Sequence, residues 1–188
     1  MVRDQSVAQD MAEQGAELLV ADLENEFSAA LAGCQKVVFT AGSGANTGAE
    51  KTLLIDLWAA CKAVDYAKQQ AVQQFVMVSS RGADNPDQGP AAIKPYLVAK
   101  HFADEYLLNS SVPYTILQPG RLLDQPGSGL VSTQRPADPA KQCISREDTA
   151  QAIYHCLTHS HTIGRVYELY QAELQASPRQ QSIVQALL

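Results

Sequence analysis

No apolar run in the sequence is long enough to cross a bilayer, and the opening residues, MVRDQSVAQD, lack the apolar core of a signal peptide. A membrane-spanning or exported protein is therefore not expected. There is no cationic excess either. The formal net charge is −6, a balance that gives no field to attract nucleic acid or anionic lipid. The four cysteines, Cys34, Cys61, Cys143 and Cys156, contain no C-x-x-C pair and fall on segments that read as core strand or helix. Reduced thiols in a cytoplasmic protein are expected rather than disulfides or a metal cage. Internal repeats, low-complexity tracts and charge blocks that would mark a linker are also missing.

What is present is the material for one globular domain. The chain has 188 residues, 46% of them apolar and 18% charged, enough to bury one sizeable core. Residues 1–188 read as a single α/β domain. Ser6 to Gln14 has helical character and stops at Gly15; Glu17 to Val20 (ELLV) is a short strand; Glu24 to Ala32 reads as a helix closed by Gly33. A strand at Val37 follows. The longest helix is expected from Thr47, with Glu50 completing a capping box and Leu54, Leu57, Cys61 and Val64 on one face, while Trp58 is assigned to the core. Gln74 to Ser80 (QFVMVSS) is nearly all apolar, as a parallel strand covered on both faces would be. Pro95 suits the first turn of a helix over Tyr96 to Asn109, and Tyr114 to Gln118 returns to strand. Residues 121–142, rich in Gly, Pro, Ser and Asp, form a substrate-side loop. A helix capped by Ser145, with Asp148 three residues on, a strand over Gly164 to Tyr170 and a terminal helix from Ser177-Pro178 complete the chain. Strands alternating with helices predict a doubly wound, mostly parallel sheet with its ligand at the edge where the strands end.

Three strand ends carry chemistry. The first is Lys36 to Gly48 (KVVFTAGSGANTG), in which a buried strand delivers the backbone to Gly42, Ser43 and Gly44, where missing Cβ atoms let main-chain N–H groups approach a phosphate or ribose. A P-loop is set aside because Ala49-Glu50 follows the last glycine where Lys-Ser/Thr is required. The second is Ser79-Ser80, followed by Tyr96 and Lys100 one helical turn apart. An ammonium beside a phenol favours phenolate and would move Tyr96 toward proton exchange with a carbonyl or alcohol, while the Ser80 hydroxyl would orient the substrate oxygen. Y-x-x-x-K pairs are common on helix surfaces, and the position of this one between two buried strands is what singles it out. The third is Pro119-Gly120-Arg121. His155, His159 and His161 offer a helical i, i+4 pair, but no Glu lies between them as in a zincin helix, and histidines suit a helix C-terminus; no metal is expected.

The order TAGSG, IDLWAA, FVMVSS, YLVAK, YTILQPGRL and SREDTAQAI resembles the atypical short-chain dehydrogenase/reductases, in their NAD(P)-binding, sugar-epimerase-like and NmrA-like branch, over nearly the whole chain. The resemblance implies a Rossmann-like fold and a nucleotide cofactor. By it, Asp22 and Leu23 frame the adenine, Ala41, Gly42, Ser43 and Gly44 back the ribose and pyrophosphate, and Ser79 and Ser80 face the nicotinamide. Tyr96 and Lys100 match the family's Y-x-x-x-K, Pro119, Gly120 and Arg121 line the nicotinamide end, and Arg3 matches a basic residue that binds a 2′-phosphate, favouring NADP with NAD as the alternative. The activity implied is oxidoreductase or epimerase chemistry on a small carbonyl or sugar-like molecule. A non-catalytic NADP(H)-sensing or scaffolding module is the rival, and self-association is expected to be open to either.

Two features depart from the family pattern. Its first strand and G-x-x-G-x-x-G turn have no counterpart ahead of Arg3, so the expectation is either a start assigned at an internal methionine or a truncated relative, with an apolar edge left on KVVFT and impaired pyrophosphate binding. The catalytic serine also often lies a residue or two later than Ser80, where this chain has Arg81 and Gly82.

Overall fold

The computed structural model describes residues 1–44, 46–172 and 182–187. Its strands are β1 (Lys36–Phe39), β2 (Gln74–Val78), β3 (Tyr114–Pro119), β4 (Arg121–Leu123), β5 (Val131–Ser132), β6 (Cys143–Ser145) and β7 (Arg165–Gln171). Five of them form one sheet in the order β1-β2-β3-β7-β5, in which β1, β2, β3 and β7 run parallel and β5 pairs antiparallel with the end of β7. β4 and β6 make a separate parallel pair.

Helices cover both faces. They are α1 (Gln9–Glu13), α2 (Ala49–Lys51), α3 (Ala60–Gln69), α4 (Lys94–Leu108), α5 (Arg146–Thr158) and α6 (Ile183–Ala186). Alternation along β2 shows why the fold needs two layers. Phe75 and Met77 enter a core with Ala63, Val64, Ala103 and Leu107 from α3 and α4, while Val76 enters a second core with Ala152 and Cys156 of α5 and Ile183 of α6. The arrangement is Rossmann-like, as the sequence pattern requires. Parallel pairing brings the C-terminal ends of β1, β2 and β3 to one edge.

Several elements differ from expectation. Glu17 to Val20 makes no strand: its pairing is a single parallel bridge between Val2 and Val20, and Leu19 and Val20 are exposed. Glu24 to Ala32 contains one short 3₁₀ turn, Ser28–Leu31, with Phe27 and Leu31 buried in the core. Among the described residues β1 is the strand at one edge of the sheet, and its Val38 is exposed. The long helix is capped at Gly48 and starts at Ala49, not at Thr47, whose hydroxyl donates to the Gly44 carbonyl (3.0 Å). Between α2 and α3 it winds as a π-helix over Thr52–Ala59. Bonding to the fifth residue rather than the fourth rotates the apolar face predicted from three-and-four spacing. Leu54 and Trp58 consequently point to solvent, Trp58 at 56% exposure, and Asp56 turns inward at 1%. The expected start of the terminal helix at Ser177-Pro178 lies outside the described residues.

Candidate functional site

The three strand ends open into a run of adjoining cavities. The first, of about 440 Å³, is lined by Arg3, Asp22, Leu23, Ala41, Gly42 and Ser43. The central one, of about 570 Å³, shares Ala41 to Ser43 with it and adds Gly44, Asp56, Ser79, Tyr96 and Lys100. The third, of about 830 Å³, shares Ser79 and Tyr96 with the central cavity and adds Ser80, Pro119, Gly120 and Arg121. Every candidate catalytic and cofactor-binding residue therefore lines one of these three adjoining cavities, with Arg3 and Arg121 in the outer two.

The glycine turn is set by Asp56, for which the sequence leaves open a hydrogen-bonded role near the sheet edge or a place facing solvent. Asp56, buried by the π-helical stretch, accepts the Ser43 amide at 3.0 Å, and a Cβ on Gly42 would stand 3.0 Å from its Oδ1. A side chain there would crowd the carboxylate. At Gly44 glycine is needed for backbone geometry, with φ +91°. The carboxylate thus fixes the turn while leaving Gly44 open to the cavity.

Behind the turn lies a buried polar network. Lys100, 1% exposed, donates Nζ to the Val78 carbonyl at 2.9 Å, and burial lowers its pKa against the opposing pull of Asp56 and Asp104. Asp104, one helical turn further along α4, accepts from the Ser79 hydroxyl (2.7 Å) and from Gln118 Nε2 (3.0 Å), and its Oδ1 is buried with no hydrogen-bond partner. Burial raises its pKa, against those two hydrogen bonds and the pull of Lys100. The Ser79 hydroxyl therefore points inward, while the Ser80 hydroxyl, which lines the third cavity together with Tyr96, donates to the Arg81 carbonyl (3.2 Å). Tyr96 is displaced opposite to the direction expected from its spacing to Lys100. Burial raises the phenol's pKa, outweighing the lowering effect of the nearby Ser80 hydroxyl, and Asp56 and Asp104 push the same way. A phenol so placed is neutral near pH 7 and is a proton donor first.

Asp104 was legible in principle, since it shares a helix face with Lys100 at i, i+4. Arg81, Arg135, Arg146 and Gln142, which also line the third cavity, were not. Nothing in their spacing announces that they converge. The histidines stack on one another instead: the His155 and His159 ring centroids are 4.0 Å apart, with His161 at 5.5 and 5.6 Å from them. Among the described residues no group of three or more His, Cys, Asp or Glu side chains could hold a metal ion.

Comparison with known proteins gives this crevice a context. A family model described as NAD(P)H-binding matches residues 1–160. The uncharacterized sugar epimerase YhfK of Bacillus subtilis is 40% identical over 176 residues, which are 92% of this chain and 81% of that protein. A solved structure from Bacillus halodurans, named for NAD-dependent epimerase/dehydratase chemistry, is 39% identical with a TM-score of 0.90, covering 100% of this chain and 85% of its own. The oxidoreductase ylbE of Lactococcus lactis is 27% identical with a TM-score of 0.77, covering 91% and 75%.

Proposed function

We propose, from the premise that the chain belongs to the NAD(P)H-binding family, that it is an NADP-dependent oxidoreductase reducing a small carbonyl or sugar-like substrate. The observation that carries this reading is the position of the Tyr96 phenol, which lines both the central and the third cavity and shares the third with Ser80. The crevice fits a dinucleotide. Gly42, Ser43 and Gly44 line the central cavity with no bulky side chain on the two glycines, and the cavities run without a break in lining residues from Arg3 to Tyr96. Asp22 and Leu23 would hold the adenine end, Arg3 a 2′-phosphate, Ala41 to Gly44 the ribose and pyrophosphate, and Ser79, Pro119, Gly120 and Arg121 the walls of the nicotinamide end.

When bound, such a cofactor supplies the hydride. Tyr96 donates the proton to the carbonyl oxygen, Ser80 orients that oxygen, and Lys100 holds the floor of the site through its bond to Val78. Residues 1–188 act as one domain, with 121–142 as the substrate-side segment. A second reading, cofactor sensing or scaffolding without turnover as in NmrA-like proteins, is favoured by the Ser80 hydroxyl's bond to the Arg81 carbonyl, which competes with its use on substrate.

NADPH fluorescence titration and NADPH consumption with a panel of aldehydes and ketones separate the two. Tyr96→Phe should abolish consumption while NADPH still binds. Binding with no consumption by the native chain would favour the sensing module, and unchanged consumption by the variant would remove Tyr96 as the acid.

A further inference from the structure

We infer that the third cavity recognises an anionic substrate, a carbonyl compound carrying a carboxylate or a phosphate, and that Arg81 and Arg121 are the residues that grip it. The inference rests on the oxidoreductase reading above and adds the class of substrate to it.

The chain as a whole is acidic, with 20 Asp and Glu against 14 Lys and Arg, yet the lining of this cavity inverts the ratio: four arginines and no acidic residue. Two of the four are already neutralised. Arg135 is clasped by Glu168 and Asp84, and Arg146 Nε donates to Asp124 at 2.7 Å. The other two have no carboxylate partner among the described residues. Arg81 donates only to the neutral amide oxygen of Gln142, and the Arg121 side chain makes no hydrogen bond or ion pair.

One residue builds this pair. Gln142 receives the Arg81 guanidinium on its side-chain oxygen, receives the Arg121 amide on its backbone carbonyl (3.0 Å), and is itself fixed by donation from Nε2 to the Pro136 carbonyl (2.7 Å). The Arg81 amide in turn donates to the Pro119 carbonyl (3.0 Å), so the ends of β2 and β3 are locked in register with the two arginines beside them. Gly120 makes the approach feasible: a Cβ there would stand 2.5 Å from the Gln142 carbonyl oxygen. Two planar guanidiniums without counter-ions, held at adjacent strand ends next to a proton donor, suit a carboxylate or phosphate, which each can bind in bidentate fashion.

The test compares three probes built on one aromatic aldehyde: 4-formylbenzoate, 4-formylphenyl phosphate and the neutral methyl 4-formylbenzoate. Their affinities for the full chain in the presence of NADPH are measured by calorimetry, with NADPH binding measured separately by fluorescence. At least one anion should bind roughly tenfold or more tighter than the ester, as a hydrogen-bonded charge contact warrants, and which anion does so identifies the group. The anion-to-ester ratio should fall toward unity in Arg81→Gln and in Arg121→Gln; a ratio also controls for loss of active protein. An ester that binds as well as both anions, a ratio preserved in both variants, or no binding by any probe overturns the inference. An arginine-dependent anion preference without NADPH binding leaves the anion site standing and removes the oxidoreductase reading, whereas consumption of NADPH with the ester and the anions alike does the reverse.

Discussion

At the level of single residues, burial decides what each charged group can do. Lys100 and Asp56 are both about 1% exposed and each is held by the backbone of a strand end or turn, so they shape the floor of the crevice. Arg3 is the opposite case. It is exposed at the rim of the first cavity, where a contact to a 2′-phosphate would remain partly solvated and be screened by salt. Arg3→Ala is therefore expected to reduce the preference for NADPH over NADH only several-fold, on the order of 1 kcal/mol, and less at high ionic strength. Titration of wild type and variant with both cofactors measures this. An unchanged NADPH-to-NADH ratio would assign 2′-phosphate recognition elsewhere.

At the level of elements, the first turn of α5 carries more than its own helix. The Ser145 hydroxyl accepts the Asp148 amide at 2.9 Å, the half of the capping box that the sequence pattern foretells. The other half is diverted. Instead of closing on its own cap, the Asp148 carboxylate accepts the amides of Ser128 (3.0 Å) and Gly129 (2.8 Å), and Glu147 accepts that of Gly127 (2.7 Å). The substrate-side segment is thereby tied to the helix across some twenty residues of chain. Asp148→Ala strands two amides and should cost roughly 2 to 6 kcal/mol, taking about 1 to 3 for each group left unpaired, as read by urea denaturation. A loss well under 1 kcal/mol would mean that solvent replaces the carboxylate and that the segment is held by other contacts. The same diversion shows what was legible in the sequence. β2, β3, β7, α4 and the cap of α5 follow from local pattern, because hydrophobic period and cap chemistry are properties of neighbouring residues. The π-helical stretch was not legible. Its apolar spacing is equally compatible with ordinary helix, and choosing between them places Asp56 or Trp58 inside. Residues 17–20 read as strand by propensity, but a strand needs a partner, and propensity does not supply one.

Across the whole molecule, stability should depend on pH through the far end of α5, some distance along the chain from the proposed chemistry. His155 lies there with its Nε2 buried and unpartnered, stacked on His159 and close to His161, while the His159 Nδ1 donates to the His155 carbonyl (3.0 Å). Burial first, then the two neighbouring imidazoles, push the His155 pKa below its ordinary value. The sign follows from proton uptake. Unfolding releases this imidazole to titrate near about 6.5, so below that pH the unfolded chain holds a proton that the folded chain refuses, and acidification favours unfolding. The contribution is fully present above about pH 6.5 and is lost as pH falls toward the lowered folded value. Asp104 acts with the opposite sign: its raised pKa makes the folded chain the better proton binder once pH drops below the folded value, so acidification toward about pH 4 adds stability there. Thermal unfolding followed by circular dichroism should accordingly show a falling Tm between about pH 7.5 and 5.5, and His155→Gln, which cannot titrate, should flatten that slope. If wild type and variant lose Tm in parallel over this range, the buried imidazole is not the group responsible. If Tm rises on acidification in wild type, the carboxylate at the floor of the crevice outweighs the histidines at the other end of the sheet.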